Sequence, residues 1–319
     1  MKTKLLESIK IYNKAVEIEK SGNFNEAEKL YLDAIKTNPS LFQAHYNLAN
    51  VKKKTNCHSE AILHYKKSIE LNSNFIAAYN NLGSILRDLG EIDEAEKNFK
   101  IALELNPNLN QTKINYESIL DLKKLTKIVQ PSKRNKKNLN LVSNINTFMS
   151  KRIVENELIH EIYNLRNDEL DKEKNFSDAR YGNGKFSNFK LFEINSKIIQ
   201  KVKTELTSIM EQAVKSKIYI KESFYNILKT DSGTKPHNHI SSFDRNFGYK
   251  DQKFSLTYYL SIGDQKAAEP GILKLYNPEK EILPKNGLIL IFPAHQIHGA
   301  IYNGKKDRIM IGVNFYSLN

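Results

Sequence analysis

Three histidines carry the side chains best suited to metal chemistry in this chain of 319 residues. His237 and His239 are separated by one residue. On a β-strand alternate side chains share a face, so both imidazoles would point the same way, as gripping one metal ion requires. Taken alone, a His-x-His pair is equally the mark of two exposed loop histidines. His298 is the third candidate; it follows the apolar run Leu288-Ile-Leu-Ile-Phe-Pro293 and stands ten residues ahead of Arg308.

Strands must present these side chains. Beyond residue 220, short apolar or alternating runs bounded by Gly, Pro, Asn and Asp occupy 221–229, 253–262, 271–276, 287–292, 299–302 and 307–317, the texture of a β-sandwich or barrel. In the last run Ile309, Ile311, Val313 and Phe315 form an apolar face, with Arg308, Met310, Gly312 and Asn314 on the other. In Phe254–Leu260, Phe254, Leu256, Tyr258 and Leu260 share one face, and Ser255, Thr257 and Tyr259 the opposite one. Both strands are expected to pack on one side and line a polar, ligand-sized cavity on the other. Upstream, helical periodicity is expected in Thr147–Glu173 and Ser196–Lys215, separated by the polar loop Asp178–Lys185.

The order Gly233-Thr-Lys-Pro-His237-Asn-His239, Leu256-Thr-Tyr-Tyr-Leu260, Glu269-Pro-Gly-Ile-Leu-Lys-Leu-Tyr276, Pro284–Pro293, His298, Arg308 and Asn314 resembles the 2-oxoglutarate- and Fe(II)-dependent dioxygenases of the prolyl-hydroxylase type, over roughly residues 220–317. The resemblance implies a double-stranded β-helix, or jelly roll, at 220–319, with a helical lead-in (143–219) packed against its outside. It makes His237 and His298 ligands of Fe(II). Arg308 would pair with the far carboxylate of the cosubstrate 2-oxoglutarate, with Tyr259 and Asn314 beside it. The reaction implied is oxidative decarboxylation of the cosubstrate by dioxygen, coupled to hydroxylation of a substrate C–H bond. One departure stands out: the family's usual site is His-x-Asp/Glu followed by a distant His, and here His239 holds the carboxylate's place. Either His239 ligates as a third imidazole, or it stands aside while Asp244 or water completes the shell.

The first 128 residues have a different organisation. At an offset of 34, Ala27, Ala61 and Ala95 fall in one column and Tyr31, Tyr65 and Phe99 in another. Gly22, Asn56 and Gly90 align at a turn, Ala15, Ala49 and Gly83 at a small position, and Pro39, Ser73 and Pro107 at the end of each unit. Small columns let helices approach closely, the aromatic four residues on fills the same face, and proline stops the second helix. This pattern resembles the tetratricopeptide repeat. It implies an α-solenoid over 1–128, capped by a helix near 110–128, whose groove takes a protein or peptide; Asn47, Asn80 and Asn81 are expected to line it.

The net charge of +13 first suggests nucleic acid. Divided along the chain, the excess of bases over acids is three in 1–128, four in 129–140 and six in the remainder. Only the basic linker, 129–142, is concentrated, and it has neither aromatic interleaving nor a second basic block, so a nucleic-acid partner is not expected. One cysteine, Cys57, permits no intrachain disulfide, and neither a signal peptide nor a membrane span is visible, so a cytoplasmic location is expected. Three readings follow: a cytoplasmic oxidoreductase whose repeats recruit a polypeptide substrate; an adaptor whose barrel is inactive; and a cupin-like three-histidine metalloenzyme without 2-oxoglutarate.

Overall fold

The computed structural model describes residues 2–129, 147–169, 185–187, 189–229 and 232–318. The chain divides into two compact units, Met1–Lys127 and Ile128–Asn319. The expected basic linker, apart from Val129, and the polar loop 178–184 lie outside the described residues.

The first unit is a succession of antiparallel helix pairs: α1 (Lys2–Lys20) with α2 (Phe24–Thr37), α3 (Phe42–Lys54) with α4 (His58–Leu71), and α5 (Ile76–Leu89) with α6 (Ile92–Leu105), followed by α7 (Asn110–Ile128). The columns at offset 34 have plain physical duties. Ala27, Ala61, Ala95, Tyr31, Tyr65 and Phe99 are all fully buried. Gly22, Asn56 and Gly90 take φ of 86°, 61° and 89°, the left-handed region that turns one helix into the next. A Cβ on Gly83 would stand 2.9 Å from the Phe99 ring, so the smallest residue fits where the aromatic packs. The groove asparagines are half-buried and bonded between repeats. Asn47 donates to the Tyr12 hydroxyl (3.0 Å), Asn81 to Tyr46 (3.0 Å) and Asn50 (2.9 Å), and Asn115 to Asn80 (3.3 Å). Each Asn47–Tyr12, Asn81–Tyr46 and Asn115–Asn80 pair spans 35 residues, one repeat plus one. The polar lining expected at Asn47, Asn80 and Asn81 therefore ties neighbouring repeats together.

The second unit is antiparallel and sheet-rich. It contains β1 (Phe148–Lys151), α8 (Asn156–Glu169), β2 (Lys185–Phe186), a 3-10 turn (Leu191–Glu193), α9 (Lys197–Val214), β3 (Ile218–Leu228), β4 (Ser232–His237), the short helix α10 (Ser242–Asn246), β5 (Lys253–Ser261), β6 (Leu273–Tyr276), β7 (Lys280–Ile282), β8 (Leu288–Pro293), β9 (Ile297–Tyr302) and β10 (Arg308–Ser317). One sheet runs β1-β8-β5-β10-β3-β2, and the other β4-β9-β6-β7.

Alternation along the central strands decides which side is core. Ile309, Ile311, Val313 and Phe315 of β10, with Phe254, Leu256, Tyr258 and Leu260 of β5, join Leu158 and Ile162 of α8 and Ile199, Val202, Leu206 and Met210 of α9 in one buried cluster. Each such aliphatic side chain contributes about 1.5–3 kcal/mol by leaving water. The opposite face of the same strands is left to line a cavity. One expectation fails upstream: the helix placed at Thr147–Glu173 begins only at Asn156, because Phe148–Lys151 forms β1 on the edge of β8. All six residues of β8 are buried, and a buried edge must satisfy its backbone donors and acceptors. That tertiary demand overrides a helical pattern.

Candidate metal centre

The hydrogen-bond ladder brings the three histidines together. His237 ends β4 and is the register partner of His298 in β9. His239 lies just beyond β4, its backbone N–H held by the Ala294 carbonyl at 2.9 Å. One nitrogen from each ring falls in a cluster whose members all lie within 4.8 Å of one another.

The outer nitrogens are fixed by the backbone. His237 Nδ1 is 2.7 Å from the Lys235 carbonyl, and His298 Nδ1 is 3.1 Å from that of Gln296. A carbonyl only accepts, so each Nδ1 carries its proton and each Nε2 presents a lone pair, the arrangement in which a histidine is held ready for a metal. His298 Nε2 lies 3.3 Å from His239 Nε2. Two nitrogens each about 2.1 Å from a shared ion would be separated by roughly 3.0–3.4 Å, so the observed spacing fits cis ligands. Burial, aided by the neighbouring His237, pushes the His298 pKa down to about 4 against its bond to Gln296, so this imidazole is neutral at ordinary pH. The ring of Phe292 packs edge-on against His298, centroids 4.8 Å apart.

Asp244, the carboxylate alternative to His239, is elsewhere. It is fully buried, and its oxygens accept from the Ser241 amide (2.7 Å), the Ser241 hydroxyl (2.7 Å), Lys253 Nζ (2.9 Å) and the Tyr316 hydroxyl. Burial works to raise its pKa, yet the Lys253 charge and these hydrogen bonds hold it below the ordinary carboxylate value. The cluster among the described residues that could hold a metal ion contains the three histidines and no carboxylate.

The cavity beside the histidines is lined on the six-stranded sheet by Phe224, Asn226, Ser255, Thr257, Tyr259, Arg308, Met310, Gly312 and Asn314, and on the other sheet by Thr234, Leu273 and Ala300. Arg308 is fully buried. Its Nη1 donates to the carbonyls of Gly271 and Pro270, and its guanidinium lies 5.0 Å from the Tyr259 ring centre and 5.9 Å from that of Tyr302. Among the described residues Nε and Nη2 have no hydrogen-bond partner. Burial lowers its pKa, an effect that Tyr259 opposes; an arginine nonetheless keeps its charge. Gly271 makes the niche possible, since a Cβ there would fall 1.3 Å from Nη1.

Asn314 is placed differently from its expected role beside Arg308. It sits six residues along β10, roughly 20 Å away at strand rise, and its amide is engaged by Glu222 and Ser255, each at 2.7 Å. Sharing a face does not mean sharing a level. Two lining residues, Phe224 and Asn226 of β3, were not singled out from the sequence. Among the described residues Asn226 is buried with an unpartnered Oδ1, and Glu222, outside the lining, is the half-buried acceptor for Asn314. The alternation of β3 could have signalled Phe224 and Asn226.

Comparisons with known proteins bear on the first unit. The second TPR domain of the human RPAP3 protein, in complex with an HSP70 peptide, is 22% identical, with 36% of this chain and 96% of that one covered and a TM-score of 0.35. The Arabidopsis OM64 TPR domain is 23% identical, with 37% and 97% covered and a TM-score of 0.36. The Yersinia enterocolitica type III secretion chaperone SycD, in complex with a peptide of the translocator YopD, is 21% identical, with 37% and 92% covered and a TM-score of 0.34. No curated protein matches the chain. No helix of the described residues is long and apolar enough to cross a membrane. Residues 42–75 and 76–109 each match a family model of the tetratricopeptide repeat, and with the shared columns of α1–α6 they identify the first unit as a tetratricopeptide-repeat solenoid.

Proposed function

We propose that the second unit is a double-stranded β-helix oxygenase using Fe(II) and 2-oxoglutarate, and that the repeats deliver a protein or peptide substrate to it. The observation that carries this reading is Arg308: a fully buried guanidinium with two of its nitrogens, Nε and Nη2, unpartnered among the described residues, facing the cavity that holds three clustered imidazoles. A buried cation without a counter-ion costs stability and invites an anion. A dicarboxylate long enough to reach from the histidines to Arg308 answers both demands, whereas a cupin-like site without such a cosubstrate gives the arginine no task.

His237, His239 and His298 would hold the iron. Bound iron and 2-oxoglutarate would supply the oxidising chemistry, in which dioxygen converts the cosubstrate to succinate and carbon dioxide and a substrate C–H bond becomes C–OH. The chain's residues orient and exclude water. Lys235 and Gln296 carbonyls fix two imidazoles in the ligating tautomer. Arg308 offers a planar fork to the far carboxylate, and the Tyr259 and Tyr302 rings keep that fork dry. Phe292 limits the tilt of His298. Asn314 is left out of the cosubstrate contacts because of its distance from Arg308. The repeat groove would contribute binding energy away from the reacting carbon. With one cysteine in the chain, a reducing, cytoplasmic setting suits the iron.

Anaerobic titration of Fe(II) and then 2-oxoglutarate tests the reading. A visible charge-transfer band from the chelate is expected, with succinate formed on admitting air. Absence of both would leave the repeats as the functional part and the second unit as an inactive fold.

A further inference from the structure

Alternation along β3 sends Tyr225 and Ile227 into the buried core cluster, and Phe224 and Asn226 into the cavity. Asn226 is only 4% exposed, and among the described residues its Oδ1 has no hydrogen-bond partner. A buried acceptor without a donor is destabilising, and on a cavity wall a ligand can relieve it.

Register places this acceptor beside the arginine. Asn226 is opposite Met310, and Leu228 opposite Arg308, so Asn226 and Arg308 are diagonal neighbours on the cavity face. Such neighbours stand about 7–8 Å apart, within the span of one small ligand. Arg308 leaves Nε and Nη2 as unmet donors and Asn226 leaves Oδ1 as an unmet acceptor, yet the two side chains do not bond each other. Complementary groups held apart on one cavity wall read as two points of a single recognition pattern.

A carboxylate answers Arg308 alone. Its oxygens only accept, so they leave Oδ1 unmet and bring further acceptors towards it. An O–H on the carbon beside that carboxylate supplies the missing donor. An ammonium in the same place would stand close to a buried guanidinium that, among the described residues, has no acid beside it, and like charges repel more strongly there than in water. A hydroxyl therefore fits where an ammonium does not.

We propose that Asn226 is a specificity-determining residue of the cavity, and that with Arg308 it selects a dicarboxylate bearing a hydroxyl on the carbon next to the far carboxylate. The assignment of that ligand to the cosubstrate, as a 4-hydroxy-2-oxo dicarboxylate, rests on the oxygenase reading above; the two-point recognition does not.

The full chain can be tested with two pairs of ligands that differ by that hydroxyl. Malate is compared with succinate without metal, by saturation-transfer NMR, and 4-hydroxy-2-oxoglutarate with 2-oxoglutarate in anaerobic Fe(II), by the charge-transfer band; both enantiomers of each hydroxy acid are assayed and the tighter one is used. Wild type should bind the hydroxylated member of each pair about tenfold more tightly. Asn226→Leu, similar in size and without the acceptor, should bring each ratio to about one, and Asn226→Ala gives the same comparison with a smaller side chain. Equal binding of malate and succinate by wild type, or a preference for malate that survives in both variants, would overturn the recognition. Equal binding within the oxo-acid pair, once the band is seen, would overturn its assignment to the cosubstrate. A malate preference that depends on Asn226, with no band from either oxo acid, would sink the oxygenase reading and leave the two-point recognition standing.

Discussion

Each unit buries a basic side chain, and the two are treated in opposite ways. In the solenoid Lys52 occupies the column that Ile18 and Leu86 fill in the other repeats. It is closed over by Glu28 from α2 and Glu60 from α4, each at 2.7 Å. In the cavity Arg308 is more deeply buried and, among the described residues, has no acid beside it, only two carbonyls on one of its nitrogens and the rings of Tyr259 and Tyr302. A basic group taken out of water is tolerated when it is paired, and Lys52 is therefore accounted for by the fold. Arg308 is not, and what it lacks within the chain is what a ligand would bring. Lys253 with Asp244 shows that the second unit does pair its buried charges where nothing else is to bind.

The largest expected effect is at the histidines. His298→Ala and His237→Ala should each weaken divalent-metal binding by at least about 100-fold in competition titrations, and a wild-type affinity in His298→Ala would break the cluster's assignment. Next, Arg308→Met should weaken 2-oxoglutarate binding about 100-fold while metal affinity holds, and it should leave the melting temperature equal or higher, because a guanidinium without a counter-ion is removed. Lys52→Ala sharpens the contrast, since it leaves Glu28 facing a part-buried gap and should cost about 1–2 kcal/mol in denaturant unfolding. Equal destabilisation by Arg308→Met would erase the distinction between the two buried basic groups.

A pH series tests the paired charge. The Asp244 pKa is depressed in the fold, so its contribution is present above the unfolded carboxylate value of about 4 and is lost as pH falls through the lower folded value. Asp244→Asn should therefore be less stable than wild type near neutrality, by about 3 kcal/mol for a broken buried pair. The gap should narrow in melts taken below pH 4. The smallest effect concerns the repeats: Asn81→Ala removes bonds to Tyr46 and Asn50 and should cost about 1 kcal/mol.

The solenoid was legible because its signal is repetition: Gly22, Asn56 and Gly90 recur at one offset and each turns the chain by a positive φ. The faces of β5 and β10 were legible for a similar reason, since a period of two divides Ile309, Ile311, Val313 and Phe315 from Arg308, Met310, Gly312 and Asn314 without knowledge of the neighbours. β1 was not, because its conformation is imposed by the buried edge of β8, whose backbone groups must be paired, and not by its own residues. Nor was the Tyr12–Asn47 ladder, in which each bond joins one repeat to the next.

The sequence by itself therefore settled the repeat period, the polar face of the strands and the three histidines as candidates, all properties of spacing along one chain. The tertiary structure decided matters of distance between elements. It joined His298 to His237 through the β4–β9 ladder, withdrew Asp244 into a pair with Lys253, set Asn314 far from Arg308, and left that arginine buried beside Gly271 with two of its nitrogens unpaired among the described residues. Burial and pairing depend on which strands meet, and hydrogen-bond register fixes that only once the sheets have formed.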